Sequence, residues 1–173
     1  MGSVSMGNGD IIRILDLTLL DKGASEEDLI RLCERAVTHR AAAVCVFSEH
    51  VRFVRDLLPE EVRVASVVGG FPVGWRDPVK VSKAITEAID FGTDEIDCVL
   101  EPQLHDGFPG ESELALLLAM REASGDKILK VIIETPLLDE HSIRATSRLA
   151  MASGADFVKT CTGKRGDCTD EDA

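Results

Sequence analysis

The run Gly154-Ala155-Asp156-Phe157-Val158-Lys159-Thr160-Cys161-Thr162-Gly163-Lys164 places an ammonium where a buried strand should carry another aliphatic side chain. A lysine in a strand interior is costly to desolvate unless it is paired or gives up its charge. Losing the charge turns the amine into a nucleophile, because only neutral lysine adds to a carbonyl to form a Schiff base. The plain alternative is an edge-strand lysine that keeps other chains off an exposed sheet edge. Taken alone, this segment fits both readings.

Two earlier runs break the tie. Thr93-Asp94-Glu95-Ile96-Asp97-Cys98-Val99-Leu100 and Lys127-Ile128-Leu129-Lys130-Val131-Ile132-Ile133-Glu134 both read as strands. Alternation puts Glu95, Asp97 and Val99 on one face, Lys130, Ile132 and Glu134 on another, and Phe157, Lys159 and Cys161 on a third. With Asp97, Lys130 and Lys159 turned inward, one carboxylate and two ammoniums would share an interior. Each has an ordinary role by itself: Asp97 as a loop anchor, Lys130 snorkelling outward, Lys159 on an edge. Together, opposite charges would compensate burial, and two close lysines would depress one another's pKa.

The elements that must position these groups alternate along the chain. Ile11 to Thr18 is an apolar opening, part helix and part strand, with Asp16 and Thr18 near its end. Ser25 caps a helix with acids in its first turn and a stripe of Leu29, Leu32, Cys33 and Ala36. Strands are predicted at 42–47 and 62–68, and a helix from Glu49 to Leu58 stopped by Pro59. Gly69-Gly70-Phe71-Pro72-Val73-Gly74 is a loop. Pro78 opens a helix that Gly92 ends. Further helices are predicted from Gly110 to Ser124 and from Asp139 to Ser153. Strand and helix thus recur at roughly 30-residue spacing, which implies a parallel sheet covered by helices. Short strands, each ending in a polar residue or glycine loop, and no GxGxxG after the first strand favour a (β/α) barrel over a doubly wound sheet.

Composition narrows the partners. The 173 residues are a one-domain length, and 45% hydrophobic with 29% charged residues describes an ordinary globular chain. A net charge of -12 argues against nucleic acid or an anionic membrane surface as the main partner. A small phosphorylated ligand remains compatible, since it needs only a local patch of N–H groups and lysines. No window approaches the roughly 20 apolar residues of a transmembrane helix. Five cysteines without a CxxC pair point to reduced thiols and a cytoplasmic location, and four scattered histidines offer no metal motif.

Six motifs in order resemble deoxyribose-phosphate aldolase, a metal-free, Schiff-base aldolase with a TIM-barrel fold. They are Leu15-Asp16-Leu17-Thr18, Ala43-Val44-Cys45-Val46, Gly70 to Gly74, Asp94-Glu95-Ile96-Asp97, Leu129 to Thr135, and Gly154 to Lys164. The resemblance implies that Lys159 forms the Schiff base, that Asp97 relays protons through an ordered water, and that Lys130 is the second active-site lysine. It also implies that Asp16, Thr18 and Cys45 line the pocket, while Thr162, Gly163 and Lys164 hold the substrate phosphate. No cofactor or metal is implied. The implied reaction is reversible cleavage of 2-deoxy-D-ribose 5-phosphate to acetaldehyde and D-glyceraldehyde 3-phosphate. The alternatives are another Schiff-base aldolase acting on a different phosphorylated sugar, or a non-catalytic barrel fragment.

A TIM barrel has eight strands and about 250 residues, and about six βα units are visible. Residues 1–10 read as a flexible lead and 11–173 as a single barrel-type domain, truncated at the start of the sixth barrel helix. There Thr169-Asp170-Glu171-Asp172 has the pattern of a capped first turn. In the family the two further strands carry a lysine that lowers the nucleophile's pKa and glycines and serines for the phosphate. Two unpaired edges are expected to invite self-association, and a second copy or a complementing C-terminal segment would supply the rest.

Overall fold

The six strand-like runs all pair, in parallel and in chain order. In a computed structural model of the chain, which describes residues 11–103, 107–166 and 168, they are β1 (Asp16–Leu19), β2 (Ala43–Phe47), β3 (Arg63–Val68), β4 (Glu95–Val99), β5 (Ile128–Ile132) and β6 (Phe157–Lys159). The sheet order is β1-β2-β3-β4-β5-β6. A doubly wound sheet would reverse its order partway across; this one never does. It also curls, so that Asp16 on the first strand comes within 3.8 Å of Lys159 on the last. The result is the open arc of a parallel barrel. The amino-terminal lead and the 169–172 turn lie outside the described residues.

Among the described residues, five α-helices cover the convex face: α1 (Glu26–His39), α2 (Val51–Leu57), α3 (Pro78–Asp90), α4 (Glu111–Ser124) and α5 (Glu140–Ala152). The predicted Ser25 cap closes α1 as a reciprocal box, with the Ser25 side chain accepting from the Asp28 N–H and the Asp28 carboxylate accepting from the Ser25 N–H. Asp77 caps α3 by accepting from the N–H groups of Val79 and Lys80, and Pro78 follows in the first turn. The helix expected from Glu49 begins differently. Ser48–His50 is a 3-10 turn and the α-helix starts at Val51. No side chain caps that end, and an uncapped first turn tightens into i→i+3 bonds.

The apolar residues sort onto two sides of the sheet. Leu29, Cys33, Val44 and Val54 lie in the layer between α1, α2 and the first strands. Ile85, Ile96, Leu117 and Val131 lie in the layer under α3, α4 and α5. Ala43, Cys45, Ala65, Val67, Phe71, Val99 and Ile132 form a third group on the concave side. Small residues on β2 and β3 leave that concave side open to the charged groups of β4, β5 and β6.

A local device recurs before β4 and β6. Gly92-Thr93-Asp94 and Gly154-Ala155-Asp156 each start with a glycine at positive φ (103° and 92°) that turns the chain out of the preceding helix. Each aspartate then ties down the neighbouring strand. Asp94 accepts from the Val64 N–H at 2.9 Å and from Arg55, and Asp156 accepts from the Leu129 N–H at 2.8 Å and from Arg121. These bonds tie β3 to β4 and β5 to β6, on either side of the β4–β5 pairing that brings Lys130 beside Asp97. Asp156→Ala should lower stability by roughly 1–2 kcal/mol, the size of one charge-assisted bond, read as a drop in the urea midpoint. The value stays low because the side chain is 45% exposed and water screens the ion pair. An unchanged midpoint would show that the bond adds nothing.

Candidate active site

Register delivers the charged groups to one level of the concave face. Asp97 on β4 stands opposite Lys130 on β5, and Lys159 on β6 stands opposite Ile132. The Lys159 ammonium donates to Asp97 Oδ2 at 2.5 Å. Lys130 lies 2.5 Å from Asp16, 2.5 Å from Glu95 and 3.8 Å from Asp97. Two ammoniums therefore interleave with three carboxylates contributed by β1 and β4. Asp97 is wholly buried, and its Oδ1 has no hydrogen-bond partner among the described residues. A cavity of about 380 Å³ reaches this cluster from the strands' N-terminal ends, with Arg63, Glu95, Lys130, Phe157 and Lys159 on its wall.

The electrostatics follow from burial set against these contacts. Burial pushes the Asp97 carboxyl above the usual carboxylate range, although both lysines pull it down. For Lys159, burial acts to lower the pKa but is outweighed by the Asp97 charge and hydrogen bond, so the amine is held charged. Lys130 behaves alike: burial lowers it, and the Asp97 charge with the Asp16 and Glu95 bonds carries it well above the lysine range. The mutual depression expected of two lysines is present at Lys159 but is the weakest influence there. The carboxylates win because they are closer. A raised Asp97 beside a charged Lys159 makes a short path for one proton.

The other expected residues divide. Asp16 joins the cluster. Cys45 lies beside it, but burial, with the Asp97 charge next in weight, pushes its thiol up to about 12. It is therefore protonated at neutral pH and a poor trap for aldehydes. Thr18 does not join; its hydroxyl donates to the Asp16 carbonyl of its own strand at 3.0 Å. Thr162, Gly163 and Lys164 follow β6 in a separate loop, with Gly163 at φ 65° and the Lys164 N–H donating to Thr162 Oγ1. The expectation of five reduced thiols is corrected: Cys161 and Cys168 are bonded to each other, while Cys33, Cys45 and Cys98 are free and buried. A search for CxxC overlooks a pair seven residues apart, which meets only because the loop after β6 turns back.

Two residues were not singled out by sequence. Glu95 clasps both Lys130 and the more exposed Arg63, and its place on the Asp97 face was the available signal. Glu134 is fully buried at φ 56° and accepts from the Thr162 N–H at 3.0 Å. Nothing in strand periodicity announces a left-handed backbone at a glutamate.

A parallel barrel arc that buries a nucleophile-type amine against an acid inside its concave face defines the class: an aldolase of the α/β-barrel kind. The chain belongs to the DeoC/LacD aldolase family, which matches residues 11–173. It is 36% identical over 163 residues to a deoxyribose-phosphate aldolase of Halalkalibacterium halodurans, covering 90% of this chain and 70% of that protein. It is also 36% identical over 166 residues to one from Shouchella clausii, covering 94% and 74%. Among solved structures, a Coccidioides immitis protein assigned as a deoxyribose-phosphate aldolase superposes with a TM-score of 0.86 at 29% identity, covering 98% of this chain and 67% of that one. No helix of the described residues is long and apolar enough to cross a membrane.

Proposed function

We propose that the chain carries the catalytic centre of a deoxyribose-phosphate aldolase, with Lys159 as nucleophile, Asp97 as proton carrier and Lys130 as the fixed positive charge beside them. The observation that supports this most is the 2.5 Å contact between Lys159 Nζ and a wholly buried Asp97. As a carbonyl approaches, the Lys159 proton passes to Asp97 Oδ2, and the freed amine adds to C1 of open-chain 2-deoxy-D-ribose 5-phosphate. Loss of water gives an iminium. Removal of the C3 hydroxyl proton then lets the C2–C3 electron pair move to the iminium, releasing D-glyceraldehyde 3-phosphate and leaving an enamine. Protonation at C2 and hydrolysis free acetaldehyde and the lysine. Asp97 is the group within reach to move these protons, while Lys130 is held charged by three carboxylates and serves as an electrostatic partner.

In this reading the substrate enters from the strands' C-terminal ends, opposite the cavity of about 380 Å³. There Asp16 and Cys45 shape the floor and Thr18 the rim, and Thr162, Gly163 and Lys164 take the substrate phosphate. The open edges of β1 and β6 are completed by a second copy or a complementing C-terminal segment, and the enzyme works in the cytoplasm. One observation favours a second reading, a barrel fragment of low activity: Lys159 is held charged, so little neutral amine stands ready at neutral pH. Borohydride trapping with acetaldehyde, followed by peptide mapping, separates them. The expected result is reduced adduct confined to Lys159. Adduct spread over surface lysines, or absent, would overturn the catalytic reading.

A further inference from the structure

Glu101, just past β4, lies outside the lysine–carboxylate cluster and has no part in the chemistry above. Its side chain is 9% exposed, yet it is fully engaged. Arg165 donates to both carboxylate oxygens, at 2.7 Å to Oε2 and 2.9 Å to Oε1, and the Gly74 N–H donates to Oε2 at 3.1 Å. Gly74 is pressed so closely to this corner that an added Cβ would meet the Val99 carbonyl oxygen at 2.3 Å. Three loops from the C-terminal ends of β3, β4 and β6 thus converge on a single carboxylate. Glu134 adds a tether at the other end of the β6 loop by accepting the Thr162 N–H. Residues Thr162, Gly163 and Lys164 are bracketed between the two anchors.

We infer that Glu101, through Arg165, is a positioning residue that holds the Thr162–Lys164 loop in the shape that receives the phosphate of the substrate. The inference takes its ligand from the aldolase reading. A bidentate guanidinium–carboxylate pair fixes orientation as well as distance. It also neutralises Glu101, which would otherwise set a bare negative charge near an incoming phosphate. Arg165 is spent on this pair, leaving the Lys164 side chain to meet the ligand. The Glu101–Arg165 pair accordingly sets preference for phosphorylated over unphosphorylated substrates without touching the reacting carbon.

The test uses glycerol 3-phosphate, which carries the phosphate but no carbonyl, and glycerol as its control, titrated by calorimetry with the Cys161–Cys168 bond reduced. Glu101→Gln and Arg165→Gln should each weaken glycerol 3-phosphate binding about tenfold, and the double variant no further, since both break one coupling. Trapping of acetaldehyde at Lys159 should stay within about twofold of the parent chain, which a general loss of folding would not allow. Binding that is unchanged or tighter in Glu101→Gln would overturn the inference; tighter binding would mean that Arg165 is a ligand held in check. A parent chain that binds glycerol 3-phosphate no better than glycerol also overturns it, while Lys159 trapping would leave the aldolase reading standing. If trapping fails but the binding pattern holds, the catalytic reading falls and the positioning role survives.

Discussion

Asp97→Asn should move the onset of Lys159 reactivity to lower pH while lowering turnover by about 10²–10⁴-fold, the usual worth of a positioned proton carrier. Both effects come from removing one group. In the parent chain, burial presses the Lys159 pKa down and the Asp97 charge and bond more than reverse it. With the carboxylate gone, burial and the neighbouring Lys130 charge both act downward, opposed by the Asp16 carboxylate at 3.8 Å. The amine then gives up its proton more readily but has nowhere close to send it. The pH profile of borohydride trapping reads the first effect, and steady-state cleavage reads the second. A profile that stays in place or moves upward would show that Asp97 is not what keeps Lys159 charged. Stability carries an independent sign. A carboxyl whose folded pKa lies above its unfolded value of about 3.9 binds more protons folded than unfolded, so it costs stability as pH climbs through that window. Asp97→Asn should remove that slope from a urea-denaturation series.

Strand alternation alone showed which residues share a face with Asp97, Lys130 and Lys159, because a two-residue period is a property of every strand and needs no tertiary information. That those faces turn inward was a condition the sheet's curl meets. The sequential sheet order followed from regular strand–helix alternation with short connections. What alternation could not reveal was distance across the arc. Asp16 meets Lys130 only because the sheet curls, and the two are 114 residues apart in sequence. Glu95 was visible on the right face but lacked a reason to be chosen over its neighbours until Lys130 was seen against it. Thr18 lay in the right motif yet turned its hydroxyl to its own backbone, a local competition that threonine often wins. The carboxylate corner at Glu101 was the least legible: it joins three loops, and loops carry no period.

Lys130→Met should destabilise the fold by about 3–5 kcal/mol, the usual consequence of stripping one partner from a buried ionic group. Against a typical net stability of about 5–15 kcal/mol that is severe. The cause is what Lys130 leaves behind: Asp16, Glu95 and Asp97 would face one another with only Lys159 and the half-exposed Arg63 to offset them. The pH sign is specific. In the parent chain, Lys130 has a folded pKa above its unfolded value, so its contribution is complete below about 10.4 and is lost as pH rises through the folded value. It is therefore constant between pH 5 and 8. In the variant, Asp97 loses one of the two lysine charges that pull its raised pKa down, so the deficit should shrink as pH falls toward about 4. Pairing Lys130→Met with Glu95→Gln should recover part of the loss even at pH 7, because the pair is removed rather than broken. Urea midpoints for both variants at pH 7 and pH 5 decide the matter. A Lys130→Met deficit that does not change with pH and is not relieved by Glu95→Gln would place the loss in packing rather than in charge. The three carboxylates would then tolerate one another without the lysine that now separates them.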